Sequence, residues 1–94
     1  MIRHIVMYKL REDCDKAVAI NEIRNALERL VGVIPGLITM KIRPTIGGSF
    51  DYVLYSEFDN QSALDGYKTH PEHLSVKPIV HGYITERVAA DSEE

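Results

Sequence analysis

Apolar and polar residues alternate along the first stretch of the chain, from position 2 to position 10. One face of this stretch is formed by Ile2, His4, Val6, Tyr8 and Leu10, and the other by Arg3, Ile5, Met7 and Lys9. A period of two residues predicts a β-strand, because successive side chains of a strand point to opposite faces. Apolar side chains lie at the centre of both faces, which predicts that the strand is covered on both sides.

Three further stretches have the composition of strands. Positions 37–43 and 51–58 alternate in the same way, and the loop between them has Gly47-Gly48 at its tip, which predicts a hairpin-like connection. In the later of these two strands, Tyr52, Leu54, Ser56 and Phe58 share a face. We predict a fourth strand over 83–90, followed by a polar tail over 91–94.

Two other parts of the chain have the helical spacing of three and four residues. The first contains Ile20, Ile23, Leu27, Leu30 and Val31 on one face. Asp13 or Asp15 can cap this helix, and Gly32 with Pro35-Gly36 ends it. The second places Ala63, Leu64 and Tyr67 on one face. Its cap is Asp59 or Asn60.

A proline interrupts the second helical region within the segment Tyr67-Lys68-Thr69-His70-Pro71-Glu72-His73. Proline disfavours the helical conformation of the residue before it and suits the first turn of a new helix. One helix should therefore end near Thr69 and another begin at Pro71. Tyr67 and His73 would then flank a corner and point into the same space. We also predict that Pro78 kinks or ends the new helix, and that His81 lies in an exposed turn.

The resulting order is strand, helix, strand, strand, helix, strand. It predicts an α+β, ferredoxin-like fold, with a four-stranded antiparallel sheet and helices on one face. The helices can cover only that face, and the opposite face still carries apolar side chains. A second copy of the chain is the simplest cover, so we predict a homodimer.

Length and charge narrow the class of protein. The 94 residues predict a single domain over 1–94, and a net charge of −3 with eleven scattered basic residues argues against nucleic acid as a partner. No apolar run has the length of a membrane span or a signal peptide. Cys14 is the only cysteine, so no intrachain disulfide forms. We therefore expect a cytoplasmic protein.

Four segments together resemble a known family. They are His4 to Leu10, Ile34-Pro35-Gly36, Asp51 to Phe58, and Ala63 to His73, and they follow one another in the family's order. The chain is similar to the stress-responsive A/B barrel domain (Dabb) proteins, which are dimeric α/β barrels. The resemblance covers nearly the whole chain and implies a homodimer. It leaves the function open, because most members have none assigned.

Some plant members of this family are polyketide cyclases that need no cofactor and close a ring by aldol condensation. Carried over by position, the resemblance implies that Tyr67 orients or polarises a substrate carbonyl and that His73 is the general base. His4 matches a pocket-facing histidine. Strand parity adds Val6 and Tyr8 as ligand contacts, and the Tyr67–His73 motif adds His70. The implied ligand is a small, mostly apolar carbonyl compound, bound without cofactor or metal.

This chemistry is also reasonable from the residue types alone. Removing a proton beside a carbonyl needs a base whose pKa lies near the working pH, and histidine meets that need. A phenol can hydrogen-bond the developing enolate oxygen. The structural alternative is that Tyr67, His73 and His4 hydrogen-bond to one another and form a closed polar cluster.

Three other functions compete with this interpretation. His70, Glu72 and His73 offer two nitrogens and a carboxylate for a metal ion. Their spacing is loose, however, and the sequence does not fix a third ligand. Cofactor-free monooxygenases and heme-degrading enzymes occur on similar dimeric barrels, which is an analogy of fold alone. The third alternative is a non-catalytic dimeric binding or structural stress protein. A fully packed space around Tyr67, His73 and His4 would favour that alternative.

Overall fold

The computed structural model describes residues 1–94 and contains four strands and three helices. The strands are β1 (Ile2–Leu10), β2 (Leu37–Pro44), β3 (Tyr52–Phe58) and β4 (Ile84–Glu93). The helices are α1 (Lys16–Glu28), α2 (Gln61–Thr69) and α3 (Pro71–Tyr83). All strand pairs are antiparallel, in the order β2–β3–β1–β4. This arrangement confirms the predicted α+β, ferredoxin-like fold.

The core lies between the helices and one face of the sheet. Alternate residues of β1 and β3 are buried there, as the period of two predicts. Helix α1 adds Ile23 and Leu27, and α3 adds Val76 and Val80. On the opposite face of the sheet no helix is packed, and its central apolar side chains are only half-buried or exposed.

Side-chain caps fix where two of the helices begin. Asp15 accepts a hydrogen bond from the backbone N–H of Val18 at 3.1 Å, and Asn60 accepts one from Ala63 at 2.9 Å. Of the alternative caps, Asp15 and Asn60 are therefore the ones used. Helix α1 ends at Glu28, which leaves Val31 exposed although Leu30 is buried.

The predicted break between α2 and α3 is confirmed, but helix α3 does not end at Pro78. It continues to Tyr83, so His81 is helical and the predicted turn is wrong. A proline inside a helix removes the N–H that would bond the carbonyl four residues earlier. That carbonyl belongs to Leu74, an exposed residue, so water can bind it in place of the missing N–H. None of the three helices has the length and hydrophobicity that crossing a membrane requires.

Strand β4 is longer than its composition predicts. It extends to Glu93, so most of the predicted polar tail is part of the sheet. The partner strand provides the reason: β1 pairs with β4 along its whole length, and Glu94 donates a backbone hydrogen bond to Met1 at 3.0 Å. Because both faces of this edge strand are exposed, its backbone can pair with β1 whether its side chains are polar or apolar.

Candidate functional site

A cavity of about 270 Å³ opens between the sheet and the helices α2 and α3. Four of the residues predicted for a site line it, namely His4, Tyr8, Tyr67 and His73. The remaining lining residues are Leu27, Leu54, Lys68, Lys77, Val80, His81 and Arg87. The cavity is therefore floored by the helix-facing side of β1, β3 and β4, and it is closed on one side by the corner between α2 and α3.

His4 is held by the strand next to it. Its Nδ1 lies 2.5 Å from Oδ1 of Asp91, the residue directly opposite in β4. A carboxylate only accepts, so Nδ1 donates this hydrogen bond. The ring also lies edge-on to Tyr67 and Phe58, with centroid distances of 6.5 and 6.4 Å. The orientation of His4 is thus fixed by the β1–β4 register and by aromatic packing.

Tyr67 projects from α2 into the core, and its side chain is almost fully buried. Its ring stacks on His73, with centroids 4.0 Å apart and planes 20° apart, and it packs against Phe58 at 5.1 Å. Burial raises the pKa of Tyr67 above its usual value, because the phenolate would lose hydration. The hydroxyl therefore stays protonated and can donate a hydrogen bond.

His73 lies in the first turns of α3 and bonds back across the helix break. Its Nδ1 is 3.0 Å from the backbone carbonyl oxygen of Tyr67. A carbonyl can only accept, so Nδ1 carries the proton and, in the neutral ring, Nε2 holds the lone pair. Burial lowers the pKa of His73, and the nearby positive charge of Lys77 lowers it further. Near pH 7 this side chain is a neutral proton acceptor.

His70 has a different place. Its Nδ1 accepts a hydrogen bond from the backbone N–H of Glu72 at 3.1 Å, and so it caps α3. The backbone N–H of His70 donates a hydrogen bond to the carbonyl of Tyr67 at 3.3 Å, which closes the last turn of α2. The ring borders a second, shallower groove beside Gly36 and Asn60, outside the first cavity.

Val6 also lies outside the cavity. It is on the same face of β1 as His4 and Tyr8, as parity predicts, but its side chain is completely buried in the core. Sharing a face with lining residues is therefore not sufficient for contact with the cavity. Val6 is covered completely, whereas its neighbours His4 and Tyr8 are buried but border the cavity.

The closed polar cluster that the sequence left as an alternative is not what the structure shows. Tyr67 and His73 stack their rings, and His4 pairs with Asp91. As for metal, no group of three or more His, Cys, Asp or Glu side chains has the geometry of a metal site. The Nδ1 atoms of His70 and His73 are both in hydrogen bonds to the backbone.

Sequence reasoning missed the basic side chains that line the cavity. Lys77 could have been predicted from the sequence, because it follows His73 by four residues and a helix presents such a pair on one face. Arg87 could not have been predicted, because its position depends on the strand register that sets it opposite Tyr8 in the sheet. Its guanidinium lies 5.9 Å from the centre of the Tyr8 ring. That distance allows a cation–π interaction.

Residues 2–94 match the Stress responsive A/B Barrel Domain (Dabb) family. The chain belongs to this family. A crystallised dimeric protein of unknown function and ferredoxin-like fold from Bacteroides fragilis is 33% identical, with a TM-score of 0.88 over 99% of this chain and 95% of that one. A dimeric ferredoxin-like protein from Thermobifida fusca has a TM-score of 0.85 at 23% identity over 99% of this chain and 90% of that one, which shows the shared fold.

The curated relatives are longer proteins from Arabidopsis thaliana. Stress-response A/B barrel domain-containing protein DABB1 is 30% identical over 81% of this chain, and this chain covers 39% of DABB1. A second stress-response A/B barrel domain-containing protein from the same plant is 31% identical over 81% of this chain, and the chain covers 30% of its length. This chain therefore spans less than half the length of the curated relatives that it matches. The Dabb resemblance seen in the sequence is confirmed.

Proposed function

We propose that this Dabb domain binds a small, mostly apolar carbonyl compound in the cavity and removes a proton beside the carbonyl. His73 is the general base and Tyr67 the hydrogen-bond donor to the enolate oxygen. The observation that carries this proposal is the hydrogen bond from Nδ1 of His73 to the carbonyl of Tyr67, which leaves Nε2 as the basic nitrogen. The chemistry is of the kind that begins an aldol ring closure.

The environment of His73 supports its role as a base. A general base must be unprotonated before it reacts, and partial burial together with Lys77 keeps the pKa of His73 below its ordinary value. The ring is also held in one orientation by the Tyr67 carbonyl and by stacking on the Tyr67 ring. A base that is already oriented needs no reorganisation when a substrate arrives.

Tyr67 supports the second half of the reaction. Its high pKa keeps the phenol protonated at neutral pH, so it can donate to an oxygen that gains negative charge. His4 and Tyr8 line the same cavity and would contact the bound compound. Leu27, Leu54 and Val80 supply the apolar part of the wall, which suits a mostly apolar ligand.

We further propose that the domain acts as a homodimer joined through the uncovered face of the sheet. At the centre of that face Met7 pairs with Val53 and Val88, and the exposed fractions of Met7 and Val88 are 40% and 45%. A cluster of apolar side chains on a sheet face favours a self-complementary contact. The related structures from Bacteroides fragilis and Thermobifida fusca are described as dimeric.

Hydrogen–deuterium exchange tests the proposed chemistry. The probe is methyl 4-oxo-4-phenylbutanoate in D₂O, with loss of the NMR signal of the protons beside the ketone as the readout. The protein should accelerate this exchange, and His73→Asn should slow it by about a hundredfold or more, because general bases contribute roughly that much. Tyr67→Phe should slow it by at least about tenfold.

The control for this experiment is Lys41→Gln, a change on β2 outside the cavity, which should leave the rate unaltered. An exchange rate that stays at the wild-type level in His73→Asn would contradict the assignment of the base. Acceleration lost equally in Lys41→Gln would show that the effect is not specific to the cavity.

A further inference from the structure

Most of the basic side chains of this protein form ion pairs with carboxylates, but a few do not. Of the eleven lysines and arginines, seven have a carboxylate oxygen within 4.0 Å. These are Arg3, Lys9, Arg11, Lys16, Arg24, Arg29 and Arg43. The four without such a partner are Lys41, Lys68, Lys77 and Arg87, and the last three all line the cavity. The chain has fourteen acidic residues, so a shortage of carboxylates does not explain this.

The lining of the cavity contains no acidic side chain at all. It brings together the three unpaired cations with His4, His73 and His81. The lining residue His4 is hydrogen-bonded to the carboxylate of Asp91, which does not itself line the cavity. A protein with a net charge of −3 thus has a pocket whose charged lining is entirely basic. Clefts that concentrate one sign of charge attract ligands of the opposite sign.

The three cations come from three elements that meet only in the folded chain. Lys68 lies in the last turn of α2, Lys77 lies in the middle of α3, and Arg87 lies on β4. Arg87 is further positioned by the Tyr8 ring, against which its guanidinium packs. A guanidinium offers a planar pair of N–H groups that matches the two oxygens of a carboxylate.

We propose that the ligand of this cavity is an acid, a carbonyl compound with a carboxylate group that Arg87 binds and that Lys68 and Lys77 attract. The inference rests on the proposed function in taking the cavity as the binding site and a carbonyl compound as its ligand, and it does not need His73 to act as a base. It makes Arg87 the residue that distinguishes acidic from neutral carbonyl compounds. The bound carboxylate would then offset part of the like charge that Lys68, Lys77 and Arg87 bring together.

A matched pair of probes tests this proposal. They are 4-oxo-4-phenylbutanoate and its methyl ester, which share the ketone and the phenyl ring and differ in the charge of the acid group. Binding is measured by calorimetry or NMR titration at low salt. The acid should bind at least about tenfold tighter than the ester, because a charged hydrogen bond contributes about that factor. Added salt should weaken binding of the acid and leave that of the ester nearly constant.

Variants assign the effect to the residue. Arg87→Gln should remove most of the preference for the acid, measured as the ratio of the affinities for the acid and the ester in the same variant. Lys41→Gln is the matched control, because Lys41 is also an unpaired cation but lies outside the cavity, and it should keep the full preference. Circular dichroism of both variants checks that the fold is retained. A preference that survives in Arg87→Gln, or is lost in Lys41→Gln, would overturn the assignment of Arg87.

A third probe, 2-oxo-2-phenylethylphosphonate, distinguishes a carboxylate ligand from a phosphate-like one. If it binds tenfold tighter than the acid, the class named here is wrong. If the ester binds as tightly as the acid and exchanges its protons, this inference fails while the proposed function stands. If the acid is preferred and neither probe exchanges, the proposed chemistry fails while this inference stands. If no probe binds, both are overturned.

Discussion

At the scale of single residues, two rings and one backbone carbonyl define the geometry of the candidate site. Tyr67 contributes both its ring, which stacks on His73, and its carbonyl, which fixes the tautomer of His73. The same burial that raises the pKa of the phenol lowers the pKa of the imidazole, because each change favours the uncharged form. The pair therefore consists of a proton donor and a proton acceptor in one pH range.

The lowered pKa of His73 gives a prediction for stability against pH. Above its ordinary pKa of 6.5 the ring is neutral in both the folded and the unfolded chain. As the pH falls below 6.5, the unfolded chain takes up the proton first, so the free energy of unfolding decreases until the folded pKa is passed. Urea titrations between pH 7.5 and 5 should show a smaller decrease in His73→Asn than in the wild type. Equal decreases would show that the pKa of His73 is not lowered by folding.

At the scale of elements, the corner that carries the site is supported by a close contact behind it. Gly36, in the loop before β2, has a φ of 82°, and a Cβ placed on it would lie 2.4 Å from Cβ of Ala63 in α2. Neither the backbone conformation nor the space admits a side chain. The loop therefore packs directly on the helix that presents Tyr67.

Gly36→Ala should lower the free energy of unfolding by about 2 kcal/mol or more, the combined cost of a left-handed backbone with a side chain and of the contact with Ala63. Gly47→Ala is the matched control: no atom lies within 4 Å of its Cβ position and its φ is not positive, so it should change stability by less than about 0.5 kcal/mol. Urea unfolding of the two variants makes the comparison. A similar effect of both changes would contradict the role of the Gly36–Ala63 contact.

At the scale of the whole molecule, the helices cover one face of the sheet and leave the other uncovered, and we propose that a second copy covers it. Charge on that second face should prevent the association of two copies, because a lysine at the centre of an apolar interface would be buried without a counter-charge. Met7→Lys should therefore shift the protein from dimer to monomer in analytical ultracentrifugation at micromolar concentration. Ile46→Lys, at a fully exposed position in the loop after β2, should leave the mass unchanged. A wild-type protein that sediments as a monomer would contradict the proposed dimer.

The sequence alone determined most of the fold. Alternation over β1 and β3, helical spacing in α1, and Pro71 between α2 and α3 are local patterns, and each is decided by residues near one another in the chain. Where the prediction failed, at Pro78 and in the polar end of β4, a distant element or the solvent decided the outcome. The backbone of β4 is paired by β1, and the carbonyl freed by Pro78 is open to water.

Part of the candidate site could also be predicted from the sequence, and part was decided by the tertiary structure. Tyr67 and His73 could be predicted, because the helix break and the part of the family resemblance that names these two residues lie within one short segment. The tertiary structure alone decided that Val6 is core, that His70 is a cap, and that His4 pairs with a residue 87 positions away. It also decided that Lys68, Lys77 and Arg87 share a cavity, since a charge on an exposed surface and a charge in a pocket have the same local sequence signal. Only the register of β4 and the packing of α3 on the sheet bring these charges together.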